Sequence, residues 1–195
     1  MGGGPDVWLV RHGETEWSRD GRHTGRTDLP LTPAGEREAE ALRPFLGGLR
    51  PDLVLCSPRA RARRTAELAG LARYEVEEDL HEWDYGDFEG RTTADIQEEL
   101  PGWSIWSGPW KGGETASDVE RRADRLIARI VGSGAARVVL VGHGHFSRVF
   151  AARWVGEEVA AGRWLELGTA AWSLLGWDRG ERVLRHWNVP VASRG

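Results

Sequence analysis

Three short apolar runs, separated by longer segments of helical character, constrain the fold of this chain most strongly. The runs are residues 7–10 (VWLV), 53–56 (LVLC) and 138–141 (VVLV), each bounded by polar or turn residues. Continuous apolar runs of this length are typical of parallel strands that are buried on both faces. Because strands alternate with helices, the sequence predicts an α/β fold in three α/β/α layers around a mainly parallel sheet.

Four segments have the signals of helices. Thr32 is a favourable N-cap residue and Pro33 suits the first helical position, so a helix is predicted over residues 34–46. Ser57 and Pro58 repeat this start signal for a helix that runs to about residue 71. Apolar residues at helical spacing predict a third helix over residues 116–131 and a fourth that follows Ser147.

The last part of the chain has the pattern of a hairpin. Residues 170–177 and 181–187 are predicted strands, and the three residues between them, Asp178-Arg179-Gly180, suit a tight turn. These strands are expected to add an antiparallel edge to the sheet. A further extended segment is predicted at residues 74–80.

The length of the chain indicates one domain. A chain of 195 residues can bury one good core but is short for two. Neither a repeat nor an obvious linker interrupts it, so residues 1–195 are predicted to form a single domain. Residues 101–113, rich in Gly, Trp and Pro, are predicted to form a loop over the sheet within a mobile lid at about residues 83–115.

Composition excludes several classes of function. A net charge of -4 argues against a nucleic-acid binder, which normally has a basic excess. The single cysteine, Cys56, allows no intramolecular disulfide and is typical of a reducing compartment. Neither a signal peptide nor an apolar run of roughly 20 residues is found, so we expect no membrane contact and a soluble, cytoplasmic protein.

Cationic side chains follow the three predicted parallel strands. Ligands of such sheets bind outside the carboxyl ends of the strands, so these positions are expected to share one site. Two histidines and at least two arginines converge there, and this charge suits a phosphate group. The residues concerned are Arg11, His12 and Gly13 after the first strand, Ser57 to Arg61 after the second, and Gly142, His143 and Gly144 after the third.

The arginines after the second strand cannot all reach one site, because neighbouring helical positions point in different directions. Arg61, one turn inside the predicted helix, is the candidate for the phosphate site. Arg63 and Arg64 are expected to face solvent or to pair with acids such as Glu67.

Transfer of a phosphoryl group also requires a proton for the leaving oxygen. Glu82 is the candidate general acid, because the flanking Trp83 and Tyr85 can desolvate its carboxyl group and keep it protonated near neutral pH. The same segment contains three competing carboxyl groups: Asp84, Asp87 and Glu89.

Taken in order, these motifs resemble the histidine phosphatase superfamily, the phosphoglycerate mutase-like enzymes. The matching blocks extend over most of residues 7–150, and their order is far more specific than any one of them. They are Arg11-His12-Gly13-Glu14-Thr15, residues 24–35 (TGRTDLPLTPAG), residues 57–62 (SPRARA), Glu82 with Gly86 and Glu89-Gly90, and Gly142-His143-Gly144.

The resemblance implies a phosphoglycerate mutase-like fold and a role for each matching residue. His12 would be the nucleophile that accepts the phosphoryl group, and Glu82 would be the proton donor. Arg11, Arg61 and His143 would neutralise the phosphate. Substrate binding is implied for six further residues: Ser18, Thr24, Gly25, Arg26, Gly144 and His145. Ser18 and His145 stand where the family often has asparagines.

Several features favour a phosphatase over a mutase. The chain is shorter than the cofactor-dependent mutases and lacks a long basic insertion in its lid. Its details look most like the branch with actinobacterial acid phosphatases and the fungal sedoheptulose bisphosphatase. The resemblance therefore implies a phosphatase for small phosphorylated metabolites, such as sugar phosphates. A phosphoglycerate mutase, a narrow sugar bisphosphatase and a non-enzymatic phosphate binder are the alternatives.

The lid offers candidates for selecting the rest of the substrate. Arg26 and four lid residues, Trp103, Trp106, Trp110 and Lys111, can rim the site, although the tryptophans can equally anchor the lid. Neither a cofactor nor a metal is expected, because the remaining histidines lack the close spacing of ligands. The expected partner is a small phosphorylated substrate, and a homodimer is an open alternative to a monomer.

Overall fold

The computed structural model describes residues 3–71 and 73–191, whose strands form one six-stranded sheet. The order across the sheet is β3-β2-β4-β1-β5-β6. The first four run parallel, whereas β5 and β6 are antiparallel. This confirms the mainly parallel sheet and its antiparallel addition. The strands are β1 (Asp6–Arg11), β2 (Leu53–Cys56), β3 (Glu75–Val76), β4 (Arg137–Gly142), β5 (Trp172–Asp178) and β6 (Glu181–Val189).

Helices cover both faces of this sheet. The α-helices are α1 (Glu16–Arg19), α2 (Pro33–Ala41), α3 (Arg43–Leu49), α4 (Ala60–Leu68), α5 (Thr93–Glu99), α6 (Ala116–Gly132) and α7 (Gly144–Trp154). Short 3-10 helices span Glu78–Leu80, Gly86–Phe88 and Val159–Trp164. None of the helices in the described part of the chain is both long and apolar enough to cross a bilayer.

Alternation along the strands explains the three layers. In β1, Val7 and Leu9 pack in one buried cluster with residues of α6 and α7, among them Leu126. The intervening Trp8 and Val10 pack in a second cluster with Leu42, between α2 and α3, and with residues of α3 and α4. Because successive strand side chains point to opposite faces, one apolar run supplies both cores. The prediction of an α/β/α arrangement is confirmed.

The helix predicted over residues 34–46 is two helices. α2 begins after Thr32, whose side chain accepts the Gly35 amide as predicted, but it ends at Ala41. α3 begins at Arg43 with Pro44 in its first turn. Proline has no amide hydrogen, and its ring clashes with the preceding turn of a helix. The chain therefore restarts at Leu42, and the prediction of one continuous helix is wrong.

Helix α7 begins earlier than predicted, at Gly144 and not after Ser147. His143 is its N-cap residue in extended conformation, so the chain passes directly from β4 into the helix. The prediction depended on apolar periodicity, and the first turn of α7 lacks that pattern. Because the helix starts early, the backbone amides of His145 and Phe146 lie in its first turn, next to the carboxyl end of β4.

Two further boundaries differ from the predictions. Ser57 does not cap α4; Arg59 is the N-cap residue, and the Asp28 carboxylate accepts the amide of Ala60. The extended segment predicted at residues 74–80 contains only the two residues of β3 before a 3-10 helix. The predicted single domain and the mobility of the lid at residues 83–115 stay predictions, although the segment contains α5 and a 3-10 helix.

We expect Leu126→Ala to lower the free energy of unfolding by about 2–5 kcal/mol, because Leu126 is 1% exposed and its loss leaves a cavity between α6 and the sheet. Val131→Ala on the same helix is the matched control, since Val131 is 37% exposed. Urea denaturation measures both variants. Equal, small effects would show that α6 does not bury the face described above.

Candidate active site

The carboxyl ends of β1, β2 and β4 bring the predicted residues together. β1 and β4 pair in register up to Arg11 and Gly142, and the His12 amide donates to the Gly142 carbonyl at 2.9 Å. The imidazole rings of His12 and His143 are therefore neighbours, with centroids 5.2 Å apart. Sequence reasoning placed these residues at one edge, and the structure places them there.

His12 is held as a neutral imidazole with a defined tautomer. Its Nδ1 lies 2.7 Å from the Gly13 carbonyl oxygen, which can only accept, so Nδ1 carries the proton. The lone pair is thereby left on Nε2. Burial lowers the pKa of His12 well below 6.5, and the charges of Arg61 and Arg11 lower it further against this hydrogen bond. A neutral imidazole with a free lone pair is a competent nucleophile.

Arg11 and Arg61 are fixed mainly by backbone carbonyls. Arg11 donates to the Leu167 carbonyl at 2.5 Å, and Arg61, fully buried, donates to the carbonyls of Thr24 and Thr27 at 2.9 Å. Burial lowers the pKa of both arginines, and the negative charge of Glu82 opposes this. Both stay charged, because the pKa of a guanidinium lies far above neutrality.

His143 is also buried, and its contacts orient the ring. Its Nε2 lies 2.7 Å from the Ser57 hydroxyl, which itself accepts the Arg59 amide and can donate to the ring. Burial, followed by the charge of Arg61, lowers the pKa of His143 well below 6.5. With Ser57 donating to Nε2, Nδ1 carries the proton and is a hydrogen-bond donor.

Three buried nitrogens of these residues have no hydrogen-bond partner within the described residues. They are Nε of Arg11, Nε of Arg61 and Nδ1 of His143. An unpaired buried donor costs free energy, so a cluster of them around one nucleophile indicates a site built for an anion. This arrangement can stabilise the charged oxygens of a phosphoryl group.

Glu82 is buried and lines the same cavity as His12. Its carboxylate accepts three backbone amides: Trp83 at 2.8 Å, His145 at 3.0 Å and Phe146 at 2.8 Å. The burial predicted from its neighbours is present, and the three amides fix the carboxylate in one position. The Trp83 indole itself points away and donates to the Glu114 carbonyl.

The competing carboxyl groups have other roles. Asp84 pairs with Arg26 at 2.6 Å, and Glu89 accepts the amides of Gly25 and Thr27. Asp87 is exposed. Of the four carboxyl groups, Glu82 is the one that lines the cavity.

A cavity of about 480 Å³ lies over His12. Of the predicted residues, Arg11, His12, Glu82, Ser18, Thr24, Gly144 and His145 line it, whereas Arg61 and His143 lie buried beneath them. Gly25 and Arg26 do not line it: Gly25 binds Glu89, and Arg26, 73% exposed at its side chain, turns to Asp84. Trp103 and Trp106 line the cavity, but Trp110 and Lys111 do not.

Sequence reasoning missed several residues of this wall. Tyr85 lies 2.7 Å from Nδ1 of His145. Burial raises the pKa of Tyr85 well above 10 and lowers that of His145 well below 6.5, so the phenol donates to a neutral ring. Nε2 of His145 then carries a proton. No spacing signal links these two residues, because 60 positions separate them. Nine further wall residues were missed, among them Arg22, His23, Gln97 and Arg148.

A buried ion pair fixes the segment that carries Glu82. Arg122 donates to Glu114 at 2.7 Å and also to the carbonyls of Asp79 and His81. Glu114 accepts the amide of Asp84 at 3.0 Å. Burial alone would raise the pKa of Glu114, but the His81 and Arg122 contacts lower it to about 2. This pair ties both sides of Glu82 to α6.

Two glycines allow the loop after β1 to reach its position. A Cβ atom on Gly13 would lie 2.3 Å from the carbonyl oxygen of Gly35, and one on Gly35 would lie 2.1 Å from that of Glu14. Both contacts are with backbone, so no side-chain movement relieves them. The nucleophile loop therefore packs directly on the start of α2.

Within residues 3–71 and 73–191, the structure contains no group of three or more His, Cys, Asp and Glu side chains placed to hold a metal ion. Arg11, Arg61 and His143 present cationic or neutral nitrogens near His12, and these suit an anion.

Comparison with known proteins agrees with this geometry. Residues 7–190 match the profile of the histidine phosphatase superfamily (branch 1). An acid phosphatase of Mycobacterium tuberculosis is 45% identical over 179 residues, which are 90% of this chain and 88% of that protein. A sedoheptulose 1,7-bisphosphatase of Saccharomyces cerevisiae is 39% identical over 185 residues, 78% of this chain and 68% of that protein.

Solved structures show the same fold. The product of an open reading frame of Mycobacterium tuberculosis superimposes with a TM-score of 0.92 at 41% identity, covering 96% of this chain and 99% of that one. A mycobacterial glucosyl-3-phosphoglycerate phosphatase, in a structure with VO3, gives a TM-score of 0.85 at 30% identity, covering 95% and 99%.

We expect the ring of His12 in the free protein to stay neutral as the pH falls through 6.5, because its pKa is lowered; protonation follows only at more acidic pH. Histidine NMR measures this titration, and the signal missing from the His12→Gln variant assigns the ring. A His12 ring that titrates at or above 6.5 would contradict the charge arrangement described for the site.

Proposed function

The chain belongs to the histidine phosphatase superfamily (branch 1) and is a phosphatase, and we propose that it hydrolyses small phosphorylated metabolites, sugar phosphates above all, through a phosphohistidine at His12. The observation that carries this proposal is the free Nε2 of a neutral His12 beside three unpaired buried donors. A nucleophile and an anion cradle at one point are what transfer of a phosphoryl group requires.

In the first step, Nε2 of His12 attacks phosphorus in line with the leaving oxygen. The N–P bond forms while the P–O bond to the substrate breaks. The guanidinium groups of Arg11 and Arg61 and the ring of His143 stabilise charge on the non-bridging oxygens. Glu82, in its protonated form, gives its proton to the departing alkoxide, so an alcohol leaves.

In the second step, water attacks the phosphohistidine. Glu82 is now a carboxylate and accepts a proton from this water, which becomes bound to phosphorus as hydroxyl. The N–P bond breaks, inorganic phosphate leaves, and His12 is again a neutral imidazole. Each proton that Glu82 gives in the first step returns to it in the second.

The wall of the cavity supports a substrate of sugar size. Beyond the phosphate end it presents Thr93, Gln97 and Ser104, whose polar groups suit hydroxyls, and the rings of Trp103 and Trp106. A volume of about 480 Å³ falls in the range typical of small-molecule sites. The names of the acid phosphatase and the sedoheptulose 1,7-bisphosphatase among its relatives support the same class.

We expect His12→Ala to reduce hydrolysis of p-nitrophenyl phosphate and of a sugar-phosphate panel by ~10³-fold or more, because the nucleophile is lost. His186→Ala, on the exposed side of β6, is the matched control and should keep its activity. Phosphate release is measured with and without EDTA, with no effect of EDTA expected. Undiminished hydrolysis by His12→Ala would end the proposal, and interconversion of phosphoglycerates without phosphate release would favour the mutase.

We expect Glu82→Gln to depend on the leaving group. Loss of a general acid costs about 10²–10⁴ in rate for an alkyl phosphate such as fructose 6-phosphate, but less for p-nitrophenyl phosphate, whose phenolate leaves without a proton. Asp87→Asn, an exposed acid five residues away, serves as the control. Steady-state kcat/KM is compared on the two substrates. An equal loss on both would assign Glu82 a structural role instead of proton donation.

A further inference from the structure

Arg148 places a guanidinium, in addition to those of Arg11 and Arg22, on the wall of the cavity that contains His12. It lies on α7, and its Nε and Nη2 donate to the carbonyls of Gly162 at 2.9 Å and Arg163 at 3.0 Å. Its guanidinium carbon lies 4.6 Å from the centre of the Trp106 ring. Two hydrogen bonds and an aromatic face therefore hold the group in one position.

The residues around Arg148 pack closely, with no room for a side chain at Gly162 unless Trp106 moves. A Cβ atom on Gly162 would lie 2.7 Å from the Trp106 ring. Trp106 thus fits closely between a glycine and a guanidinium, and both it and Arg148 line the cavity. Arg148 is therefore held in place by specific contacts as part of the cavity wall, unlike a solvated surface arginine.

No carboxylate of the described residues forms an ion pair with Arg148, and its Nη1 has no hydrogen-bond partner among them. Arg153, five residues later on the same helix, pairs with Glu120 at 2.9 Å and Asp124 at 2.9 Å. Burial lowers the pKa of Arg148, and the negative charge of Glu82 opposes this without a direct contact between the two side chains. Support of residues 162–163 alone would not require an unneutralised charge at the cavity wall.

Given the proposed function, we infer that Arg148 binds a second anionic group of the substrate, separate from the phosphate attacked by His12. The substrate class is then a sugar phosphate with another phosphate or a carboxylate, and not a simple monophosphate. The Trp106 face and the polar side chains of the wall would contact the carbon chain between the two anions.

The test compares fructose 1,6-bisphosphate with fructose 1-phosphate and fructose 6-phosphate, and 3-phosphoglycerate probes a carboxylate in place of the second phosphate. The wild-type protein should have its highest kcat/KM on a substrate with two anionic groups. In Arg148→Met, loss of a charge-assisted contact should raise KM for that substrate by about 10–100-fold. The monophosphates and p-nitrophenyl phosphate should change less than about threefold, since they have no second anionic group for Arg148 to bind.

Arg153→Met is the matched control, because it removes an arginine of the same helix outside the cavity and should leave the substrate preference unchanged. Equal loss on all substrates in Arg148→Met, or no loss, would overturn the inference. The substrate preference of the wild-type protein is a second test that needs no variant. Hydrolysis of all the sugar phosphates at similar kcat/KM would overturn the inference about Arg148 but leave the proposed function intact. Hydrolysis of none of these substrates, p-nitrophenyl phosphate included, would instead reject the proposed function.

Discussion

Positive charge that is buried and held mainly by backbone carbonyls is the constraint on which the site depends, although Asp28 lies 3.9 Å from Arg61. Arg11 and Arg61 are held mainly by the backbone carbonyls of Leu167, Thr24 and Thr27. A carbonyl fixes a guanidinium without cancelling its charge, so the field is left for a ligand anion. Burial, and then the charges of Arg61 and Arg11, lower the pKa of the adjacent His12 and keep its imidazole neutral. Two loops that are far apart in the chain, one with Thr24 and Thr27 and the other with Leu167, must therefore hold their carbonyl oxygens in defined positions. This requirement explains why these irregular segments are fixed by hydrogen bonds to the arginines.

The second constraint concerns the acid, which must stand opposite the nucleophile although its own segment has little regular structure. The Arg122–Glu114 pair connects that segment to the longest helix through carbonyls and an amide. Helix α7 contributes two amides to Glu82 from its first turn. The acid is thus positioned by two helices on the same face of the sheet, α6 and α7, together with Trp83 and Glu114 of the predicted lid segment.

The sequence predicted the strands well because continuous apolar runs have few other solutions, and the rule for strand ends then placed Arg11, His12 and His143 correctly. The predicted helix boundaries were wrong where a single residue set the boundary, as at Pro44. They were also wrong where the sequence had no apolar periodicity, as in the first turn of α7. Tertiary hydrogen bonds were beyond the reach of spacing: Ser57 looked like a helix cap but contacts His143, and Arg26 looked like a wall residue but pairs with Asp84. Arg148 follows His145 by three positions, but no neighbouring residue in the sequence indicates that its side chain lines the cavity.

The contact between the loop of His12 and the start of α2 limits how this scaffold can change. Gly13 and Gly35 meet backbone to backbone, so the floor of the site has no side chains there that an engineer could exchange. Selectivity for new compounds would have to come from the opposite wall, where Trp106, Gln97 and Ser104 present replaceable groups on a separate part of the chain. The catalytic loop and the substrate-selecting wall can therefore change independently in sequence. The loop keeps the nucleophile in place, while the wall residues can be exchanged to fit another substrate.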